Sequence, residues 1–360
     1  MINRYYELSK QALDAADEKT YYEVYGSQMS ELFVELVALR QKIAKEAGYG
    51  SYPEFAYIYY YGRAYSVHQA QFLLDEIQTE LAPLYRETAL SDVWLLQQKM
   101  CLEKQTFDYV KKCAAAMGGT VQEAFRLMER AGLYDISYGE NKYNASFSVF
   151  LVSYYESYIF VNPSMMVYDQ LTFAHEFGHF CSDYAAGGSI AGIDVAEIFS
   201  QGMEYLSLCY AEDAEDLQIL KMADSLSVYV EQAAYASFEH QVYGLEEEEL
   251  TAENIRALFE QTCNAYGLDV WQWDSRRFVE ITHFFTSPLY VTSYVVSNDA
   301  ALQLYRMEQE EKGTGLKLYQ SQLATEESGF LAFVEAAGLE SPFVEGRLAE
   351  TRKMLEELLK

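Results

Sequence analysis

The stretch Leu-Thr-Phe-Ala-His-Glu-Phe-Gly-His-Phe, residues 171–180, constrains this chain more than any other. At its centre is His175-Glu176-Phe177-Gly178-His179. On a helix, two histidines four residues apart stand one above the other on the same face. Imidazoles so placed can grip one divalent ion, and Zn2+ is the usual occupant. Glu176 is rotated from His175 by about 100°, off the shared edge but within reach of a water at the metal. A metal hydrolase needs its general base there. Asp169 is expected to cap the start of this helix.

A catalytic zinc takes three protein ligands, where a structural one takes four. The third is expected from the helix that follows, Asp194-Val-Ala-Glu-Ile-Phe-Ser-Gln-Gly-Met-Glu204, with Asp194 as its N-cap. Glu197, in its first turn, is the expected ligand. Glu204, two turns further on the same face, is placed to accept the N–H of a ligand imidazole. A different metal chemistry uses some of the same residues. Glu176-x-x-His179 and Glu280-Ile-Thr-His283, with Glu197 and Glu204, make up the ligand set of a di-iron carboxylate bundle. That alternative leaves His175 without a role.

The remaining pattern is largely helical. Apolar residues at three- and four-residue steps predict a long helix over 20–47, with Leu32, Phe33, Leu36, Leu39 and Ile43 on its apolar face and Gly48 as its stop. Further helices are expected over 52–61, 67–81, 107–117, 214–243 and 251–266. Another should open on the capping box Thr120–Glu123, and the last on Ser341-Pro342. The helical period fades between 133 and 168. There Phe147–Val152 and Tyr158–Val161 predict a small sheet, whose edge can pair with an extended peptide. The chain should thus be mainly α, with a helical region over 1–132 and a metal-binding region over 133–360 that can be one continuous domain.

Charge and cysteine usage narrow the partners. A formal net charge of −29 opposes binding to nucleic acid or anionic membranes. The five cysteines are scattered without a C-x-x-C, which suits reduced thiols in a cytoplasmic protein. The N-terminus lacks the apolar core of a signal peptide. The uncharged run 281–298 has the length of a membrane span, but His283, Pro288, Asn298 and its hydroxyls suit a half-buried polar segment better. Within it, Tyr290 and Tyr294 would share a helical face. With His283 they could donate to an oxyanion, although among 32 tyrosines such a pair also arises by chance.

Three stretches together resemble the oligoendopeptidase F and thimet oligopeptidase family of zinc metallopeptidases: Ala174–His179, Val195–Glu204 and His283–Tyr294. Fainter likenesses lie in Leu39–Tyr49, Ser157–Asn162 and Phe238–His240, in the family's order. The resemblance implies a helical fold with one zinc deep in a channel that admits short peptides, the region 1–132 forming one wall. It places the zinc on His175, His179 and Glu197 and the base role on Glu176. It makes His283, Tyr290 and Tyr294 contacts for substrate and oxyanion. The chain departs from the family at Phe180-Cys-Ser182, where relatives carry a further histidine, and at Tyr294-Val-Val-Ser297 in place of Tyr-Ala-Thr-Gly. It is also expected to begin after the family's N-terminal helical region. A homologue that binds peptides without cutting them is the other reading of the same resemblance.

Overall fold

The computed structural model describes residues 1–12, 15–143, 145–188 and 191–359. Among the described residues helices predominate, and the one sheet has three strands. The chain forms two compact units, each assembled from two stretches: 1–87 with 227–295, and 88–226 with 296–360.

In the first unit the helix expected over 20–47 is present as a run from Glu18 to Glu46, passing through a π-helical turn at Tyr21–Gly26. Gly48, at φ +87°, ends it as expected. Its buried face is not quite the predicted one. Leu32, Phe33, Leu36 and Val37 are enclosed, but Leu39 and Ile43 are 41% and 38% exposed, and Arg40 takes the buried position between them. The guanidinium of Arg40 donates to the Phe284 carbonyl (2.7 Å) and the Tyr243 hydroxyl (3.0 Å), so it can lie inside without an unsatisfied charge. Around it the core is aromatic: Phe33 meets the rings of Phe238, Phe278, Phe284 and Phe285 at 5.3–6.2 Å. Such offset and tilted contacts add to what burial alone contributes.

The second unit holds the sheet and the motif helix. Strands β1 (Tyr134–Asp135), β2 (Ser146–Leu151) and β3 (Glu156–Val161) lie in the order β1-β3-β2. β2 and β3 form an antiparallel hairpin in register from Ser146↔Val161 to Leu151↔Glu156, and β1 runs parallel to β3. β2 is therefore an edge. Alternate residues of β3, Ser157, Ile159 and Val161, are buried. The sheet and the helices Glu103–Met117 and Gly119–Ala131 enclose the motif helix, Asp169–Ala186, through Phe107, Phe125, Phe173 and Phe177.

Several expected caps fall elsewhere. Tyr168, not Asp169, occupies the N-cap of the motif helix. The Asp169 carboxylate instead accepts from the Ser164 N–H (3.0 Å) and the Met166 N–H (3.1 Å), tying down the turn that leads in. Thr120 lies inside a helix already begun at Gly119, so it cannot cap it, and its N–H donates to the Gln320 side chain (2.8 Å). The helix carrying Glu197 starts at Ile193 behind Gly192, which moves Asp194 into the first turn and Glu197 into the second. The last helix begins at Arg347, after Gly346 at φ +82°, and Ser341-Pro342 belongs to the turns before it. Among the described residues no helix is long and apolar enough to cross a membrane.

Candidate metal centre

The motif helix and the helix Ile193–Tyr210 cross at Gly178. A Cβ built on Gly178 would stand 2.4 Å from the Phe199 carbonyl oxygen and 2.6 Å from the Ser200 Cα, both backbone atoms that cannot move aside. Only glycine permits this approach. It brings the carboxylates of the second helix up to the histidines of the first. Glu197 Oε2 lies 3.4 Å from His175 Nε2 and 3.8 Å from His179 Nε2, and the three donor atoms fall within 4.8 Å of one another.

These separations suit a metal. Ligands at the usual Zn–N and Zn–O distances around a tetrahedral ion lie about 3.2–3.6 Å apart. Glu197 is 2% exposed, and its Oε2 also accepts from the Ser200 hydroxyl (2.9 Å), which fixes its rotamer. His175 Nδ1 lies 2.7 Å from Glu204 Oε1. Donation from Nδ1–H to that carboxylate leaves Nε2 as the free lone pair, facing Glu197 and His179. The donor set of two imidazoles and one carboxylate, with a carboxylate behind one imidazole, fits zinc.

The charges around the centre are set by burial first. Burial pushes the Glu176 carboxyl up to about 7 and outweighs the pull of His175, while the neighbouring Glu197 adds to the rise. A hydrogen bond from the Ser148 backbone N–H, on the edge strand β2, works the other way. Burial lowers His179 to about 4. For His175 burial also opposes the proton, but the Glu204 hydrogen bond and the surrounding carboxylates raise it to about 9. Burial raises the Glu204 carboxyl as well, yet Lys221 and His175 overcome it and hold it below its ordinary value.

A second cluster belongs to the first unit. His283 lies on the short helix Thr282–Thr286, Tyr294 in the first turn of Thr292–Glu310, and Tyr290 between the two helices. The two tyrosines therefore do not share a helical face, contrary to expectation. Leu289, at φ +65°, turns the backbone ahead of Tyr290. The rings nevertheless gather, with centroids 4.8 Å (His283–Tyr290), 5.2 Å (Tyr290–Tyr294) and 5.8 Å (His283–Tyr294) apart. The Tyr294 hydroxyl is 3.5 Å from His283 Nε2.

Residues that sequence reasoning missed hold this segment in place. Arg63 donates to the Leu289 carbonyl (3.0 Å) and the Ser293 hydroxyl (2.7 Å), and Tyr61 to the Pro288 carbonyl (2.6 Å). Buried Glu239 accepts the Leu289 N–H (2.8 Å). Of these, only Glu239 gave a signal in the sequence, falling in the fainter likeness at Phe238–His240, and Arg63 and Tyr61 gave none. The di-iron alternative finds no second set of ligands among the described residues. Glu280 accepts from the Tyr22 hydroxyl (2.6 Å), and among the described residues only His175, His179 and Glu197 offer three donors to one ion.

No protein-family model and no curated protein matches the chain. Solved structures do. A structure assigned to oligoendopeptidase F superposes with a TM-score of 0.84 at 20% identity, covering 94% of this chain and 66% of that one. PZ peptidase A with a bound inhibitor gives 0.84 at 19%, with the same coverage. An oligoendopeptidase F from Enterococcus faecium gives 0.61 at 16%, covering 97% of this chain and 64% of that one. The fold of the oligoendopeptidase F structures thus extends over nearly all of this chain, which spans about two thirds of their length.

Proposed function

We propose that the chain is a zinc-dependent metallopeptidase that hydrolyses peptide bonds in short peptides, one zinc per chain, with His175, His179 and Glu197 as its ligands. The observation that carries this is the convergence of those three donor atoms beside a buried glutamate, on a fold shared with oligoendopeptidase F structures. A zinc ion held there supplies a Lewis acid for the scissile carbonyl and acidifies the attacking water.

The protein's own groups do the rest. Glu176 takes the water's proton and returns it to the leaving amine, a role that burial supports by bringing its pKa close to neutrality. Glu204 keeps the His175 proton on Nδ1. Edge strand β2, whose Ser148 N–H touches Glu176, offers backbone groups to an extended substrate. His283, Tyr290 and Tyr294 are assigned to substrate and oxyanion contacts, donors that gain strength as negative charge develops. The helical region 1–132 is assigned to one wall of a channel, which would admit short peptides and exclude folded domains.

Metal analysis combined with hydrolysis of a mixed peptide library tests the proposal. The expected result is one zinc per chain and cleavage that a chelator abolishes and added zinc restores. Zinc-loaded protein that binds peptides but leaves them intact would establish the non-cutting alternative. Cleavage of a stable folded domain at a comparable rate would remove the channel.

A further inference from the structure

Behind His175 lies a buried ammonium that the mechanism above does not use. Lys221, on the helix Glu215–Val242, has 1% of its side chain exposed. Its Nζ lies 2.7 Å from Glu204 Oε2 and 2.8 Å from Asp224 Oδ2, and 4.8 Å from the centroid of the Tyr205 ring. A lysine is seldom fully buried, and its ion pairs do not in general repay the loss of hydration. A methionine would fill the same space without that cost, so the contacts of the charge call for an account.

Glu204 provides one. Its two oxygens are divided, Oε1 to His175 Nδ1 (2.7 Å) and Oε2 to Lys221. We infer that Lys221 is a positioning residue for the metal, acting through Glu204 on His175. By fixing Oε2 it sets the rotation of the carboxylate, so that Oε1 meets the Nδ1–H and the His175 ring presents Nε2 to His179 and Glu197. Asp224 balances Lys221 from the other side. The row His175–Glu204–Lys221–Asp224 then alternates donor and acceptor, with each charge facing its opposite. Without Lys221, Glu204 would keep one buried oxygen unpaired and be free to turn away from the imidazole.

The inference rests on the metal site proposed above, and measuring zinc binding by the unaltered chain separates the two. A chain with no measurable zinc affinity ends the site reading itself, before Lys221 comes into question. Once binding is established by competition with a chromophoric chelator, Lys221→Met should lower zinc affinity about 10–100-fold while the metal-free protein keeps its helical circular dichroism. Glu204→Gln should lower it too. The double variant should be no weaker than Glu204→Gln alone, because Lys221 has no route to the metal except Glu204. Should Lys221→Met fail to fold, Lys221→Met with Asp224→Asn removes the ammonium together with one of its carboxylates and carries the same expectation. Zinc affinity within twofold of the unaltered chain in either folded variant overturns the inference. So do losses that multiply in the Lys221–Glu204 double variant, since independent effects would mean that Lys221 reaches the metal by a route other than Glu204.

Discussion

His175 and His179 stand on one unbroken helix, four residues apart, whereas His283, Tyr290 and Tyr294 come together across a short helix, a left-handed leucine and the start of another helix. The first arrangement is guaranteed by helical geometry once the helix forms. The second exists only because other residues hold an irregular backbone in place. Arg63 and Glu239 bind the two sides of the Leu289 peptide region, and Arg40 and Tyr61 bind the carbonyls of Phe284 and Pro288. One cluster thus depends on a single close helix crossing at Gly178. The other depends on buried charges. The two should fail in different ways when disturbed.

The largest expected effect is in the metal centre. Glu176→Gln keeps the size of the side chain and removes its basicity, so peptide hydrolysis should fall by roughly 10²–10⁴-fold with zinc still bound at one per chain. Activity close to that of the unaltered protein, in metal-replete variant, would show that Glu176 is not the base. The next effect belongs to the second cluster. Tyr294→Phe deletes a hydroxyl and almost no volume, and kcat should drop by about 2–4 kcal/mol of barrier with zinc affinity unchanged and KM moved much less. A changed KM with kcat intact would assign Tyr294 to binding. A loss of zinc would show that the two clusters are not separable.

Gly178→Ala probes the crossing itself. The added methyl meets backbone at 2.4 Å, and overpacking of this kind costs about 1–3 kcal/mol. Because the helices can relieve it only by separating, the variant should lose zinc affinity as well as thermal stability. A lower Tm with zinc affinity intact would mean that the ligands tolerate a wider crossing than the geometry suggests.

What could be read in the sequence follows the same division. The motif helix, Glu197 and Glu204 were legible because residue spacing along a helix fixes which side chains share a face. The three-dimensional importance of Gly178 was not, since nothing local says which backbone will approach a glycine. Arg40 had the appearance of a surface residue on an amphipathic helix, and Leu39 and Ile43 that of core residues. The helix is in fact turned so that the arginine faces inward. The small sheet was visible from its β-branched and aromatic run, but not β1, which is only two residues long. Units made of two separated stretches leave no periodic trace at all.

The last effect sharpens the contrast most directly, because it reads the buried charge of the second cluster through stability alone. Glu239 is fully enclosed, its Oε1 accepts the Leu289 N–H, and among the described residues its Oε2 has no hydrogen-bond partner. Burial pushes its carboxyl up to about 8 against the opposing pull of Leu289, Arg40 and Arg63. In the unfolded chain the same group ionises near its ordinary value of 4.5. The folded pKa lies above the unfolded one, so the group's contribution to stability is fully present below about pH 4.5 and is lost as pH rises through about 8. Each pH unit in that window costs the folded state up to about 1 kcal/mol. Glu239→Gln cannot ionise but can still accept the Leu289 N–H, so it should escape that loss. Its Tm relative to the unaltered protein should therefore rise steadily between pH 5 and pH 8, whatever its starting offset. Parallel Tm curves would mean that Glu239 has the same charge in both states, held ionised by Arg40 and Arg63, and that the second cluster is anchored by an ion network instead of a neutral acid.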